Sequence, residues 1–263
     1  MLSDIKTIVF KVGTSTLTYE NGKLNLKLIF ALSRVLSDLK NSGIDVILVT
    51  SGAIGAGFGK LGITDFPHDI PARQAAAAVG QNELMFIYDK FFGDFGHTIG
   101  QVLITKEDFE KEDRREHLLN NFKALLQFNV LPIVNENDAV ATDEIVFGDN
   151  DTLSAQVAKL IDADMLIMLT DIDGLYDKNP KECDAHLISF VDEITPEMVD
   201  NAKGSASKLG TGGMTTKIMA AKIAKDNNIA TVILKGEHPD NIYKILDGER
   251  IGTYFAPRKK DNE

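Results

Sequence analysis

Lys11 stands in the run Ile8–Val12, which is otherwise Ile, Val and Phe. A charge there is costly unless it is paired or serves a ligand. Reach to solvent from an edge strand is the alternative. Lys217 closes a glycine cluster, Gly210, Thr211, Gly212, Gly213, Met214, Thr215 and Thr216, that runs into a segment of helical period. The first N–H groups of such a helix would face a bound phosphate, and the lysine would add a point charge for its terminal group. The order differs from a P-loop, because no Ser or Thr follows Lys217. A flexible surface loop is the competing reading. In Phe147-Gly148-Asp149-Asn150-Asp151, just ahead of another helical pattern, Asn150 or Asp151 can serve as a helix cap.

Ser51-Gly52-Ala53-Ile54-Gly55-Ala56-Gly57 directly follows a strand pattern and reads as a glycine loop. Such glycines allow a tight turn, close approach of the backbone to an anion, or close helix packing. The spacing is not that of the dinucleotide fingerprint, and no strand places an acid about 20 residues later. Asn135-Glu136-Asn137-Asp138 can be a polar turn. His68, His97, His117, His186 and His238 show no metal-ligand spacing and no neighbouring serine motif, so a zinc site and a hydrolase triad lack support. Cys183, among acidic residues in a loop, reads as incidental.

The elements that must position these groups alternate. Strand-length apolar runs occur at Ile8–Val12, Val46–Thr50, Ile99–Ile104, Val130–Val134, Leu166–Thr170 and Ala230–Leu234. A helix pattern, Leu28, Leu32, Val35, Leu36 and Leu39, has Asn25 as its cap and Gly43 after its end. Further helices are expected at about 72–92, 115–128, 152–161 and 215–226. Continuously apolar strands alternating with helices predict an α/β fold, a mainly parallel open sheet covered on both faces. Ligands on such sheets bind beyond the carboxyl ends of the strands, and there Gly13, Thr14, Ser15, Thr50, Ser51, Asn135, Asp138, Thr170, Asp171, Lys235 and Gly236 collect. A soft boundary lies near Gly148.

A chain of 263 residues with 44% hydrophobic and 25% charged residues fits one domain, or one with two lobes, and excludes disorder. One cysteine, no signal-like start and no membrane-length apolar run predict a cytoplasmic protein. A net charge of −11 disfavours nucleic acid. A small anionic ligand would need local positive charge, and residues 201–225 supply it with Lys203, Lys208, Lys217, Lys222 and Lys225 and no carboxylate.

Together KVGTS from Lys11, SGAIGAG from Ser51, PIVNENDAVAT from Pro132, FGDND from Phe147, LTDIDGLYDKNP from Leu169 and GTGGMTTK from Gly210 carry a resemblance. Nearly the whole chain resembles the amino acid kinase family, and SGAIGAG and NENDAVAT resemble its glutamate 5-kinase branch. The resemblance implies a single kinase domain with a glutamate-binding lobe (about 1–148) and a nucleotide-binding lobe (about 149–263). The PUA domain that follows in many members is not expected here. It further implies phosphorylation of the side-chain carboxylate of L-glutamate by ATP with Mg²⁺ on its phosphates, opening proline synthesis. By the same resemblance Lys11 and Lys217 contact phosphates, and Asp151 orients them. Ser51, Asp138 and Asn150 hold glutamate; Thr170, Asp171 and Thr211 to Lys217 hold ATP. Expected partners are proline as feedback inhibitor, γ-glutamyl phosphate reductase and further copies of the chain; neither nucleic acid nor membrane is expected. The chemistry agrees, since a carboxylate with a pKa of about 4.3 is already ionised at neutral pH and needs no general base. Competing readings are a related carboxylate or carbamate kinase, a catalytically silent nucleotide-binding regulator on the same fold and, disfavoured by the glycine spacing, a nicotinamide dehydrogenase.

Overall fold

The computed structural model describes residues 5–19, 21–63, 65, 67, 69–140, 150–180, 182–202 and 213–258. In chain order the elements are β1 (Thr7–Val12), α1 (Thr14–Leu17), α2 (Leu26–Asn41), β2 (Asp45–Val49), α3 (Ala53–Leu61), α4 (Ile70–Asp94), β3 (Ile99–Ile104), α5 (Glu107–Glu110) and α6 (Glu112–Gln127). There follow β4 (Leu131–Glu136), α7 (Asn150–Leu160), β5 (Met165–Thr170), β6 (Phe190–Val191), α8 (Pro196–Asn201), α9 (Met214–Asp226), β7 (Ala230–Lys235), α10 (Asn241–Leu246) and β8 (Thr253–Phe255). All the described strands join one sheet in the order β3-β4-β2-β1-β5-β7-β8-β6. Its pairings are parallel except β7 with β8. No helix among the described residues is long and apolar enough to cross a membrane.

The six apolar runs form strands within a residue or two of their expected limits, and β6 and β8 are additional. Those two are only two and three residues long, too short to leave a period in the sequence. At α2 the capping chemistry is as expected. The Asn25 side chain accepts from the Leu28 N–H at 3.2 Å, and Gly43 adopts φ 94° just beyond the helix.

The sheet reverses direction of growth at β1. Early strands β2, β4 and β3 extend to one side of it and β5 and β7 to the other, so a crevice opens beyond the carboxyl end of β1. Alternation along β1 sorts its side chains between two cores. Ile8, Phe10 and Val12 pack with residues of α2, α4 and α10, including Leu32, Tyr88 and Ile242. Val9 belongs to the opposite core with Phe122 of α6, Leu153 of α7 and Ile218 of α9. Lys11, two residues after Val9, must share that face. Strand period alone therefore aims the lysine at α7 and α9.

The glycine loop expected at residues 51–57 is instead mostly helix. Gly52 makes the turn with φ 90°, and Gly55, Gly57 and Gly59 lie inside α3. The physical reason is helix contact. A Cβ on Gly57 would lie 1.8 Å from the Ala76 carbonyl oxygen, and one on Gly80 would lie 1.8 Å from that of Ala53. Helices α3 and α4 thus touch backbone to backbone, and only glycine at both crossings permits it. Gly80→Ala is expected to force the helices apart and cost more than about 3 kcal/mol. Gly93→Ala, later in α4 with nothing within 4 Å of its Cβ, is expected to leave stability unchanged or raise it by up to about 1 kcal/mol. Urea midpoints of the two variants check the pair, and equal midpoints would remove close packing as the reason for the glycines.

Candidate active site

Asp151 lies in the first turn of α7 and is completely buried. Its Oδ1 is 2.5 Å from Nζ of Lys11, and its Oδ2 accepts from Nζ of Lys217 at 3.1 Å. Three elements meet here, since β1 supplies one lysine, α9 the other and α7 the carboxylate. Both lysines are also buried. The Thr216 hydroxyl is 2.8 Å from Asp151 Oδ2 and 2.7 Å from the Gly213 carbonyl, so its single hydrogen chooses between them. Burial pushes the Asp151 carboxyl upward, but the charges of Lys11 and Lys217 and the hydrogen bonds from Lys11 and Thr216 outweigh it and hold the group below its ordinary range. Asp151 is therefore an ionised counter-ion shared by two ammonium groups at the sheet's reversal point.

A second cluster lies beside it. Asn150 Nδ2 faces three acceptors, the Thr50 carbonyl at 2.7 Å and Ser51 Oγ and Asn135 Oδ1 at 2.9 Å each. Asn135 Nδ2 in turn donates to Gln81 Oε1 at 2.9 Å. Below them the Thr50 hydroxyl and the Tyr88 hydroxyl are 2.9 Å apart, and burial raises the Tyr88 pKa well above its usual value, which keeps the phenol neutral. Gln81 lines a cavity of about 330 Å³ together with Ala53, Asn82, Gln101, Asn137 and Asp138. Asp138 is half-buried, and burial lifts its pKa to about 6 against the lowering effect of the Arg73 charge. The arrangement offers two ammonium groups for an anionic group and a hollow of mixed lining that includes two carboxylate residues, Glu136 and Asp138.

Residues 6–235 match the amino acid kinase family. The chain belongs to the amino acid kinase family. It is 54% identical over 260 residues to the glutamate 5-kinase of Clostridium acetobutylicum, covering 98% of this chain and 97% of that protein. It is 50% identical over 265 residues to the glutamate 5-kinase of Listeria monocytogenes, covering 99% and 96%. Among solved structures, the isopentenyl phosphate kinase product complex of T. acidophilum shares the fold with a TM-score of 0.67 at 18% identity, over 95% of this chain and all of that one.

In this amino acid kinase Thr170 ends β5, buried, and its hydroxyl donates to Asp171 Oδ1 at 3.0 Å. Gly213 precedes α9, and Met214, Thr215 and Thr216 form its first turn. Thr211 and Gly212 lie outside the described residues, as do Gly210 and Phe147 to Asp149. Of the five lysines expected in one stretch, three are described. Lys203 and Lys208 are outside the described residues, Lys222 is exposed, and Lys225 donates to the Ala256 carbonyl at 3.0 Å beyond the last turn of α9. Of the three that are described, Lys217 alone reaches Asp151. The polar turn expected at residues 135–138 is half strand, because Asn135 and Glu136 complete β4 in full burial. Asn135 was signalled as a polar residue at the end of an apolar run. Gln81 had no signal, since a glutamine in a helix is ordinary until its neighbours are known.

Proposed function

We propose that this amino acid kinase transfers the γ-phosphoryl group of ATP to the side-chain carboxylate of L-glutamate, giving L-glutamyl 5-phosphate and ADP at the first step of proline synthesis. The observation that carries the reading is the buried Lys11–Asp151–Lys217 cluster beside a cavity that holds Asp138. The 54% identity to a glutamate 5-kinase over almost the full length of both chains supports the choice of substrate.

The reaction requires one anion to approach another. The carboxylate oxygen attacks the γ-phosphorus, and the bridging oxygen leaves with its electron pair on ADP. No proton has to move, so no general base is needed, and catalysis rests on position and charge. Lys11 and Lys217 lie where phosphoryl oxygens would pass between the two substrates, and Asp151 keeps both ammonium groups aligned before ATP arrives. The first turn of α9 after Gly213, with Thr170 and Asp171 at the end of β5, forms the nucleotide side. Ser51 and Asp138 from the proposed glutamate lobe, with Asn150 at the start of the proposed nucleotide lobe, form the glutamate side. A divalent ion, Mg²⁺ in our reading, would neutralise phosphate charge. The ion is proposed to be held mainly by the ATP phosphates.

An assay with ATP, Mg²⁺ and a panel of carboxylates, trapping acyl phosphate with hydroxylamine, tests the reading. Hydroxamate from L-glutamate is expected, and hydroxamate only from other acids would assign a related carboxylate kinase instead. The same cavity is proposed to admit proline, which shares the α-ammonium and α-carboxylate. Proline should raise KM for glutamate at constant maximal rate, and a lowered maximal rate at unchanged KM would place the effector elsewhere. The acyl phosphate hydrolyses readily, so a reductase acting next on it, γ-glutamyl phosphate reductase, and assembly of this chain with further copies belong to the same proposal.

Asp138 makes the substrate side testable by pH. Its pKa is raised to about 6, so the carboxylate that would pair with the substrate α-ammonium is present above that pH and is lost as pH falls through it. Neither the side chain nor the α-carboxylate of glutamate titrates there. kcat/KM for glutamate should therefore fall about tenfold per pH unit below the value for Asp138. Asp138→Asn should flatten that limb and raise KM for glutamate on the order of 10–100-fold, leaving KM for ATP near its original value. Persistence of the same acid limb in the variant would assign it to another group.

A further inference from the structure

The hydrogen bonds around Asn150 have a fixed direction. A backbone carbonyl can only accept, so the side-chain atom of Asn150 that meets the Thr50 carbonyl at 2.7 Å must be its NH₂. The Asn135 atom 2.9 Å from that NH₂ must then be its oxygen, which turns the Asn135 NH₂ toward Gln81. Gln81 accordingly offers its oxygen to Asn135, and its own NH₂ is left over. That nitrogen is buried and has no hydrogen-bond partner, on a residue only 8% exposed. One carbonyl thereby sets the polarity of three successive amides and ends in an unused donor. A buried donor without a partner is costly, and native proteins seldom keep one that nothing uses.

Gln81 lines the cavity that Asp138 also lines. Asp138 provides a negative group suited to an α-ammonium, and an amino acid brings with it an α-carboxylate that needs a donor. Lys11 and Lys217 already share Asp151, on the phosphoryl side of the site. We infer that Gln81 is a specificity-determining residue whose amide NH₂ donates to the α-carboxylate of the amino acid substrate, its direction fixed by the Thr50–Asn150–Asn135 relay. The inference rests on the proposed glutamate kinase activity and names which part of that substrate Gln81 reads. It explains why a glutamine stands at this point of α4 rather than an apolar residue, and why the relay ends on a residue that lines the cavity.

Gln81→Glu is the informative variant. It keeps length and keeps an oxygen to accept from Asn135, and it replaces the donor with a negatively charged acceptor. KM for L-glutamate and for its α-amide, L-isoglutamine, is measured at saturating ATP and pH 8. For the wild type, glutamate should be strongly preferred. For Gln81→Glu, KM for glutamate should rise on the order of 10–100-fold, and the preference should shift toward isoglutamine, whose α-amide can donate to the introduced carboxylate. KM for ATP should stay within about twofold. Gln81→Met, similar in length and without a donor, should raise KM for glutamate without gaining isoglutamine. A role confined to supporting Asn135 would leave the ratio of the two substrates unmoved in Gln81→Glu, and that result would overturn the inference. Absence of glutamate phosphorylation in the wild type would overturn the proposed activity itself, so the two failures are distinct.

Discussion

Lys217→Ala is expected to lower kcat by on the order of 10²-fold or more while KM for glutamate changes little. The ammonium of Lys217 is buried and carried on the first turn of α9. Its position is fixed by Asp151, 3.1 Å away, so its charge is in place before the phosphoryl group moves. A cation set in advance in a water-poor cleft stabilises the transferring group most when charge is spread over its oxygens, and it does less for the ground state. The glutamate contacts proposed for Ser51, Asp138 and Asn150 come from other elements and should survive the change. Asp151 would keep Lys11 and the Thr216 hydroxyl as partners, so the fold should persist. Initial rates over both substrates, with melting temperature as the control for folding, decide the matter. A kcat within about threefold of wild type would take Lys217 out of the chemistry.

The same three residues show what a sequence can and cannot reveal. Lys11 was legible because a charge inside Ile, Val and Phe is costly, and the period of two then assigned it a face of the sheet. Lys217 was legible because a glycine cluster running into a helix is a local arrangement. Asp151 was not, since residue by residue it looks like the cap of a helix, and only the resemblance gave it the lysines. Its partners are 140 and 66 positions away along the chain, and that distance is closed only by the sheet order β1-β5-β7 with α7 and α9 on one face. The glycines of α3 left turn, anion approach and helix packing open for a related reason. Glycine at a tight turn and glycine at a helix crossing look alike until the second helix is placed, and the Gly57 and Gly80 contacts are made across the pair. The amide relay was the least legible part, because its direction comes from a backbone carbonyl that no sequence displays.

Asp151→Asn is expected to reduce kcat by at least 10²-fold while leaving a folded protein whose stability now depends strongly on ATP. Asparagine retains size and a good capping side chain, so if Asp151 merely ended α7 both rate and stability would change little. The structure assigns it another position, with the side chain completely buried and an ammonium on each oxygen. Removing its charge leaves two buried cations without their counter-ion, and breaking a buried ion pair in this way costs about 3–5 kcal/mol. That cost falls on the nucleotide-free protein. When ATP binds, its phosphates supply the missing negative charge, so ligand binding and relief of repulsion become one event. The variant should therefore melt lower than wild type without nucleotide and gain more in Tm from a saturating nucleotide than wild type does. It should still turn over slowly, because lysines no longer aligned by Asp151 meet the transferring group in the wrong geometry. A helix cap predicts equal gains in Tm and an unchanged kcat. Melting curves with and without ATP, together with kcat on the same preparation, separate the two, and equal Tm gains with an unchanged rate would return Asp151 to the status of a cap.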